Sequence, residues 1–234
     1  MLWKVPKMWE GGECWIIGGG PSVPREFGVP EEVIARVLLK ELPVSAYSPY
    51  LSAIHDKHVI GVNAAFLIGD WIDMVFFGDG RFYFDNKKAL CAYSKMKITC
   101  NTNIQKKKGV HSIKYLQKQG NHPHGITTQP GTVSWNNNSG AASISLAAQL
   151  GVKKIYLLGF DMKAGEKGNQ HFHSHYKHGK INAPKNPMKL PFHRHLQCFP
   201  SIARDAKRLG IEIINVNPNS AITVFKRVKL SEVL

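Results

Sequence analysis

Two groups of residues in this chain have the types and spacing to do chemistry. The first is a set of small polar clusters, each standing at the end of a short apolar run. They are Gly18, Gly19, Gly20, Pro21 and Ser22; Asn63; Gly78, Asp79 and Gly80; Asp161; and Asn217, Asn219 and Ser220. Ser139 and Gly140 open a further run of small residues. Glycine at such a tip lets backbone N–H groups approach a phosphate with no Cβ in the way, and a helix N-terminus favours an anion. The second group is six histidines between positions 163 and 195: His171, His173, His175, His178, His193 and His195. A neutral imidazole near pH 7 can take a proton from an attacking hydroxyl. The alternating His171, His173 and His175 share one face of an extended segment. They lack an H-E-x-x-H pattern, so no specific metal site is assigned; Asp79, His171 and His173 come nearest to one.

The elements that must position these residues are those of an α/β fold. Cys14–Ile17, Val59–Val62, Ile72–Phe77, Met96–Cys100, Lys154–Gly159 and Ile211–Val216 are short apolar runs bounded by turn residues, and they predict buried strands. Pro30–Lys40, Ala141–Leu150 and Pro200–Leu209 predict helices, with Pro30 in the first turn of one and Gly151 and Gly210 stopping the other two. Ser139 is the expected cap of the middle helix. Residues 101–138 read as loop with a short helix near Ile113–Gln117, and 163–195 as a lid-like loop. The expected architecture is one Rossmann-like domain over 1–234, a mostly parallel sheet flanked by helices. Such sheets bind ligands at the carboxyl ends of their strands. The third glycine of G-x-G-x-x-G is missing after Gly20, so a dinucleotide is not indicated.

Composition narrows the partners. An apolar content of 43% over 234 residues supports a packed core and argues against disorder. Lys and Arg outnumber Asp and Glu by 31 to 16, a formal charge of +15, which attracts phosphorylated ligands, anionic acceptors or nucleic acid. The four cysteines form no C-x-x-C pair and predict reduced thiols in a cytoplasmic setting. No run has the length of a membrane span.

The order of WIIGGGPS (Trp15–Ser22), Val62-Asn63, Asn138-Ser139-Gly140 with its small-residue helix, KIYLLGFD (Lys154–Asp161) and Asn217–Ser220 resembles the bacterial sialyltransferases of glycosyltransferase family 42. It is also similar to the wider superfamily of flagellin-modifying motility accessory factors, archaeal 6-hydroxymethylpterin diphosphokinase-like proteins and many phage-encoded proteins. The resemblance implies a nucleotide or CMP-sugar pocket. Gly18–Ser22 would lie under the phosphate or ribose, Asn63 on the nucleotide sugar, Ser139 and Gly140 on the sugar nucleotide, and Pro218–Ser220 beside the cytidine. It also implies a histidine base: a gapless count back from Pro218 gives His193, and the His175-Tyr176 pair makes His175 the second candidate.

Two departures qualify the donor. Gly78-Asp79-Gly80 stands where the sialyltransferases carry an asparagine, and Met162-Lys163 where they carry tyrosines that hold the leaving phosphate. Lys163 or another lysine would then neutralise that phosphate. The expected function is sugar transfer from a nucleotide-sugar donor, CMP-type first, to an acceptor hydroxyl. The donor enters as substrate, and no cofactor is assigned. One alternative is a diphosphokinase holding Mg²⁺ on Asp79 and Asp161. The other is a non-catalytic nucleic-acid or virion-binding module.

Overall fold

Alternation along the first strand sets up the layers. In β1 (Glu13–Ile17), Cys14 and Ile16 point to one face of the sheet and Trp15 and Ile17 to the other, all fully or almost fully buried. A strand buried on both faces belongs in the middle of a parallel sheet. β1 pairs in parallel with β2 (Val59–Val62) on one side and β8 (Lys154–Leu158) on the other. The computed structural model describes residues 2–106, 112–119, 125–166, 168–175 and 191–234.

The sheet has eight strands in the order β10-β9-β8-β1-β2-β3-β4-β5, and every registered pair is parallel. Here β3 is Met74–Phe77, β4 Met96–Thr99, β5 Ile113–Tyr115, β9 Glu212–Asn215 and β10 Lys226–Arg227. A two-stranded parallel sheet joins β6 (Gln117–Gln119) to β7 (Thr132–Ser134). The fold is thus the expected Rossmann-like α/β class.

Seven helices are described. α5 (Ser139–Gln149) and α7 (Phe199–Leu209) pack on the Cys14–Ile16 face, and α1 (Ser22–Glu26), α2 (Glu31–Leu38) and a 3-10 segment at Val44–Ile54 cover the Trp15–Ile17 face. α3 (Gly80–Ala92) packs Phe82, Tyr83 and Leu90 against Val75 and Phe77 of β3. α4 is Thr102–Gln105 and α6 Phe192–Leu196. α5 is buried all round because alanine and serine let it lie close to the sheet, and a helix apolar on every side belongs in a core.

Three expectations are corrected. Ile113–Tyr115 is a strand, not a helix: its Ile-Lys-Tyr alternation suits period two, and it extends the sheet beside β4. The stretch 101–138 holds α4, β5, β6 and β7 instead of loop, and α3 was not foreseen. Asn138, not Ser139, caps α5: Asn138 is extended and its side chain accepts from the Gly140 and Ala141 N–H groups, while Ser139 is already helical. All four cysteines are free thiols, with Cys14 in the core. No described helix is long and apolar enough to cross a membrane.

Candidate functional site

The chain runs from β1 to β5 towards one edge of the sheet and returns to β8 on the other side of β1. Strand order therefore reverses between β1 and β8, and a crevice opens at the carboxyl ends there. It holds a cavity of about 510 Å³. Gly18, Gly19, Gly20, Asn63, Gly78, Asp79, Ser139, Gly140 and Asp161 all line it, so the tips of four strands and the start of α5 meet at one place.

One flank of the crevice is closed upon itself. Asp161, 4% exposed, accepts from the Ser22 N–H at 2.9 Å, from the Ser22 hydroxyl and from the Asn217 side-chain amide. The Ser220 hydroxyl donates to the Phe160 carbonyl at 2.7 Å, and the Asn219 N–H donates to the Asn217 side chain at 2.9 Å. The Gly18 and Gly20 N–H groups donate to the Leu158 and Gly159 carbonyls at 2.7 and 2.9 Å. These two amides hold β1 to β8 and are not directed at a ligand, which corrects the phosphate-cradle expectation for them. The glycines are needed for packing instead. A Cβ on Gly18 would lie 2.8 Å from the Gly159 carbonyl, and one on Gly140 would lie 2.9 Å from the Phe160 ring.

The other flank leaves polar atoms over. Asn63 sits in the left-handed region (φ 53°), and its side-chain Oδ1 is buried with no hydrogen-bond partner among the described residues. The Asn138 Nδ2 is in the same position, its Oδ1 being the cap of α5. A buried, unpaired polar atom is costly, so one acceptor and one donor lining the same cavity are suited to a polar ligand. Asp79 caps α3 by accepting from the Arg81 N–H at 2.9 Å. Gly78 faces the Trp135 ring, which occupies the space a Cβ would need, and the Lys118 ammonium lies 3.8 Å from the centroid of that ring.

The histidines separate. His171 and His195 line the cavity; His193 is exposed and His175 half-buried, and neither of these two lines it. Burial pushes the His171 and His195 imidazoles down to about 4, with Arg194 adding to the effect at His195. His173, 4% exposed, is held well below its ordinary value by burial, and its ring stacks on His171 at 5.3 Å. Burial also lowers His175, with Lys40 contributing. The segment carrying them is anchored: the Phe172 N–H donates to the Gly19 carbonyl at 3.1 Å, and the Tyr47 hydroxyl donates to the Phe172 carbonyl at 3.0 Å. Tyr176, His178 and the rest of 176–190 lie outside the described residues.

A second cavity, about 420 Å³, opens on the far side of Asp161. Pro21, Ser22, Asn217 and Asn219 face this space, and Ser220 is buried beside both cavities and lines neither. The expected site residues are thus split, with Asp161 on the wall between the two. Sequence reasoning missed Asn101, Lys118 and Trp135 in the main cavity, and it named His195 only as one of six histidines. The signal for Trp135 was its place just ahead of the Asn136–Asn138 turn that starts α5. No group of three or more His, Cys, Asp or Glu among the described residues could hold a metal ion. Of the two carboxylates in the Mg²⁺ alternative, Asp161 accepts from Ser22 and Asn217, and Asp79 caps α3.

No family model and no curated protein sequence matches the chain. Solved structures do. The MAf glycosyltransferase from Magnetospirillum magneticum AMB-1 superposes on the whole chain with a TM-score of 0.59 at 14% identity, and the match spans 36% of that protein. The sialyltransferase CstII from Campylobacter jejuni, solved with cytidine-5'-monophosphate, superposes on 93% of the chain and 84% of its own, with a TM-score of 0.50 at 16% identity. The chain therefore has a glycosyltransferase-like fold and spans about a third of the MAf enzyme.

Proposed function

We propose that the protein transfers a sugar from a nucleotide-sugar donor, of CMP type, to an acceptor hydroxyl. The observation that carries this reading is the cavity at the β1–β8 switch point, which is lined by Asn63 and Asn138 with their unpaired atoms, the Ser139 start of α5, two lysines, Lys118 and Lys163, and His195. Polar atoms would take the ribose or sugar hydroxyls, and the cations and helix start would take the phosphate. Gly18–Gly20 and Gly140 would shape the floor, with Asp161, Asn217, Asn219 and Ser220 bracing it from behind.

In the step itself, an acceptor oxygen attacks the anomeric carbon and the bond from that carbon to the phosphate oxygen breaks. The acceptor proton passes to a histidine, and the nucleoside monophosphate leaves with the electron pair. Of the family-implied bases, His193 and His175 lie off the cavity, so we assign the role to His195, two residues from His193. Its lowered proton affinity keeps it neutral and able to accept; an anionic donor beside it would raise that affinity. The excess of basic residues suits an anionic acceptor, and four free thiols suit a reducing cytoplasm.

A thermal-shift panel of CMP, UDP, GDP and ATP, with and without Mg²⁺, tests the reading. CMP should stabilise the protein without Mg²⁺, and Ser139→Trp should abolish the shift. His195→Asn should keep the shift and lose release of CMP from a CMP-sugar; His193→Asn and His175→Asn should retain both. AMP formed from ATP would favour the diphosphokinase, and steeply salt-dependent DNA binding with no nucleotide shift would favour the binding module.

A further inference from the structure

The nucleotide reading leaves open what neutralises the phosphate, since the Gly18 and Gly20 amides are engaged elsewhere. Among the described residues, four charged side chains line the cavity: Asp79, Asp161, Lys118 and Lys163. Asp161 is committed to Ser22 and Asn217, and Asp79 caps α3. Neither lysine forms an ion pair with a described residue. They differ in how they are held. Lys163 follows Met162, which is in the left-handed region, and it faces both cavities at once. Lys118 lies on the face of Trp135, 3.8 Å from the ring centroid.

That ring is fixed in turn. It packs against the Cα of Gly78, and the Trp135 carbonyl accepts from the Asn138 N–H at 3.1 Å. The strand register sets Lys118 opposite Val133, two residues before the tryptophan. A free lysine loses side-chain entropy when a ligand immobilises it. The cation–π contact orders the ammonium beforehand and so offsets that cost. Unlike a carboxylate partner, the ring leaves the charge intact for an anion.

We propose that Lys118, laid on Trp135, is the cation that receives the nucleotide's phosphate in this cavity. This rests on the nucleotide reading above and adds a residue that the family resemblance does not supply. The ammonium would neutralise the leaving group as its bond to the sugar breaks. Lys118 is thus a phosphate-binding residue and Trp135 its positioning residue.

Calorimetric titration of CMP and of cytidine separates charge from shape. Lys118→Gln should weaken CMP about tenfold or more, the scale of one charge-assisted hydrogen bond, and leave cytidine unchanged. Lys118→Arg should recover part of the loss. Trp135→Leu should lower CMP affinity in the same selective way, and Lys163→Gln should cost less than Lys118→Gln. Unfolding curves of each variant check the fold, and Lys118→Arg keeps the test open if the glutamine variant is unstable. Equal CMP affinity in wild type and Lys118→Gln, or equal losses for CMP and cytidine, would overturn the assignment while sparing the nucleotide reading. A wild type that binds neither molecule would remove both.

Discussion

The two flanks of the crevice meet the same difficulty, polar groups at the ends of buried strands, and meet it differently. At the tips of β8, β1 and β9, Asp161, Ser22, Asn217 and Ser220 hydrogen-bond to one another and to the backbone. At the tip of β2 and the start of α5, Asn63 Oδ1 and Asn138 Nδ2 are buried without partners among the described residues. A satisfied network adds rigidity, whereas an unsatisfied one holds binding capacity at a cost to stability. The most motif-like residues of the chain therefore build the frame, and the less conspicuous asparagines face the cavity. The largest effect should come from breaking the frame. Asp161→Ala leaves the Ser22 and Asn217 donors without that acceptor and should cost about 2–3 kcal/mol in urea unfolding. Asp161→Asn should also destabilise, because its amide would turn a donor towards other donors. A loss under about 1 kcal/mol would mean that this flank is not the frame.

A smaller, pH-dependent effect should arise behind Gly19, where His173 is buried beside His171. Burial holds His173 well below its ordinary value of 6.5, whereas the unfolded chain protonates it near that value. Above about pH 6.5 the ring is neutral in both states and contributes nothing to the slope. Below it, unfolding takes up a proton, so stability falls as the pH falls, by up to about 1.4 kcal/mol per unit from this group. His173→Asn offers Oδ1 to the His175 N–H that now donates to His173 Nδ1 at 3.3 Å, and it cannot charge. Melting temperatures between pH 6.5 and 5 should fall less steeply in this variant than in wild type. Parallel slopes would show that His173 titrates normally and that this side of the crevice is open to water.

How much was legible follows the same division. The strand runs at 14–17, 59–62 and 154–158 were readable because doubly buried strands are continuous apolar segments bounded by glycine or asparagine. The meeting of their tips followed from the parallel topology. What those tips do there was not readable, because Asp161 bonding to Ser22 and Asn217 spans 139 and 56 residues of sequence. A glycine that lets another chain segment pack and one that admits a phosphate look the same in a string of letters. Gly78 under Trp135 and Gly20 beside Asp161 proved to be the first kind. Lys118 and Trp135 were invisible for a related reason. Lys118 stands in one three-residue strand and Trp135 just past the end of another, both too short for periodicity to register, and the cation–π contact depends on the pairing between them. The gapless count gives His193 instead of His195 because it cannot see which face of the five-residue α6 lines the cavity.

The smallest expected effect is also the one that bears most directly on the contrast between the flanks. Asn63 holds φ at 53°, where a side chain costs energy that glycine does not incur, and its Oδ1 is buried without a partner. Asn63→Gly removes both penalties while adding flexibility to the unfolded chain. The net should be a gain of a few tenths to about 1 kcal/mol in the ligand-free protein. The same change deletes the acceptor offered to the ligand, so CMP should bind more weakly and produce a smaller thermal shift. Opposite signs in the two measurements are what distinguish a residue kept for binding from one kept for folding. A loss of stability in the free protein would place Asn63 with Asp161 among the structural residues and would leave Asn138 as the open flank's unpaired polar group.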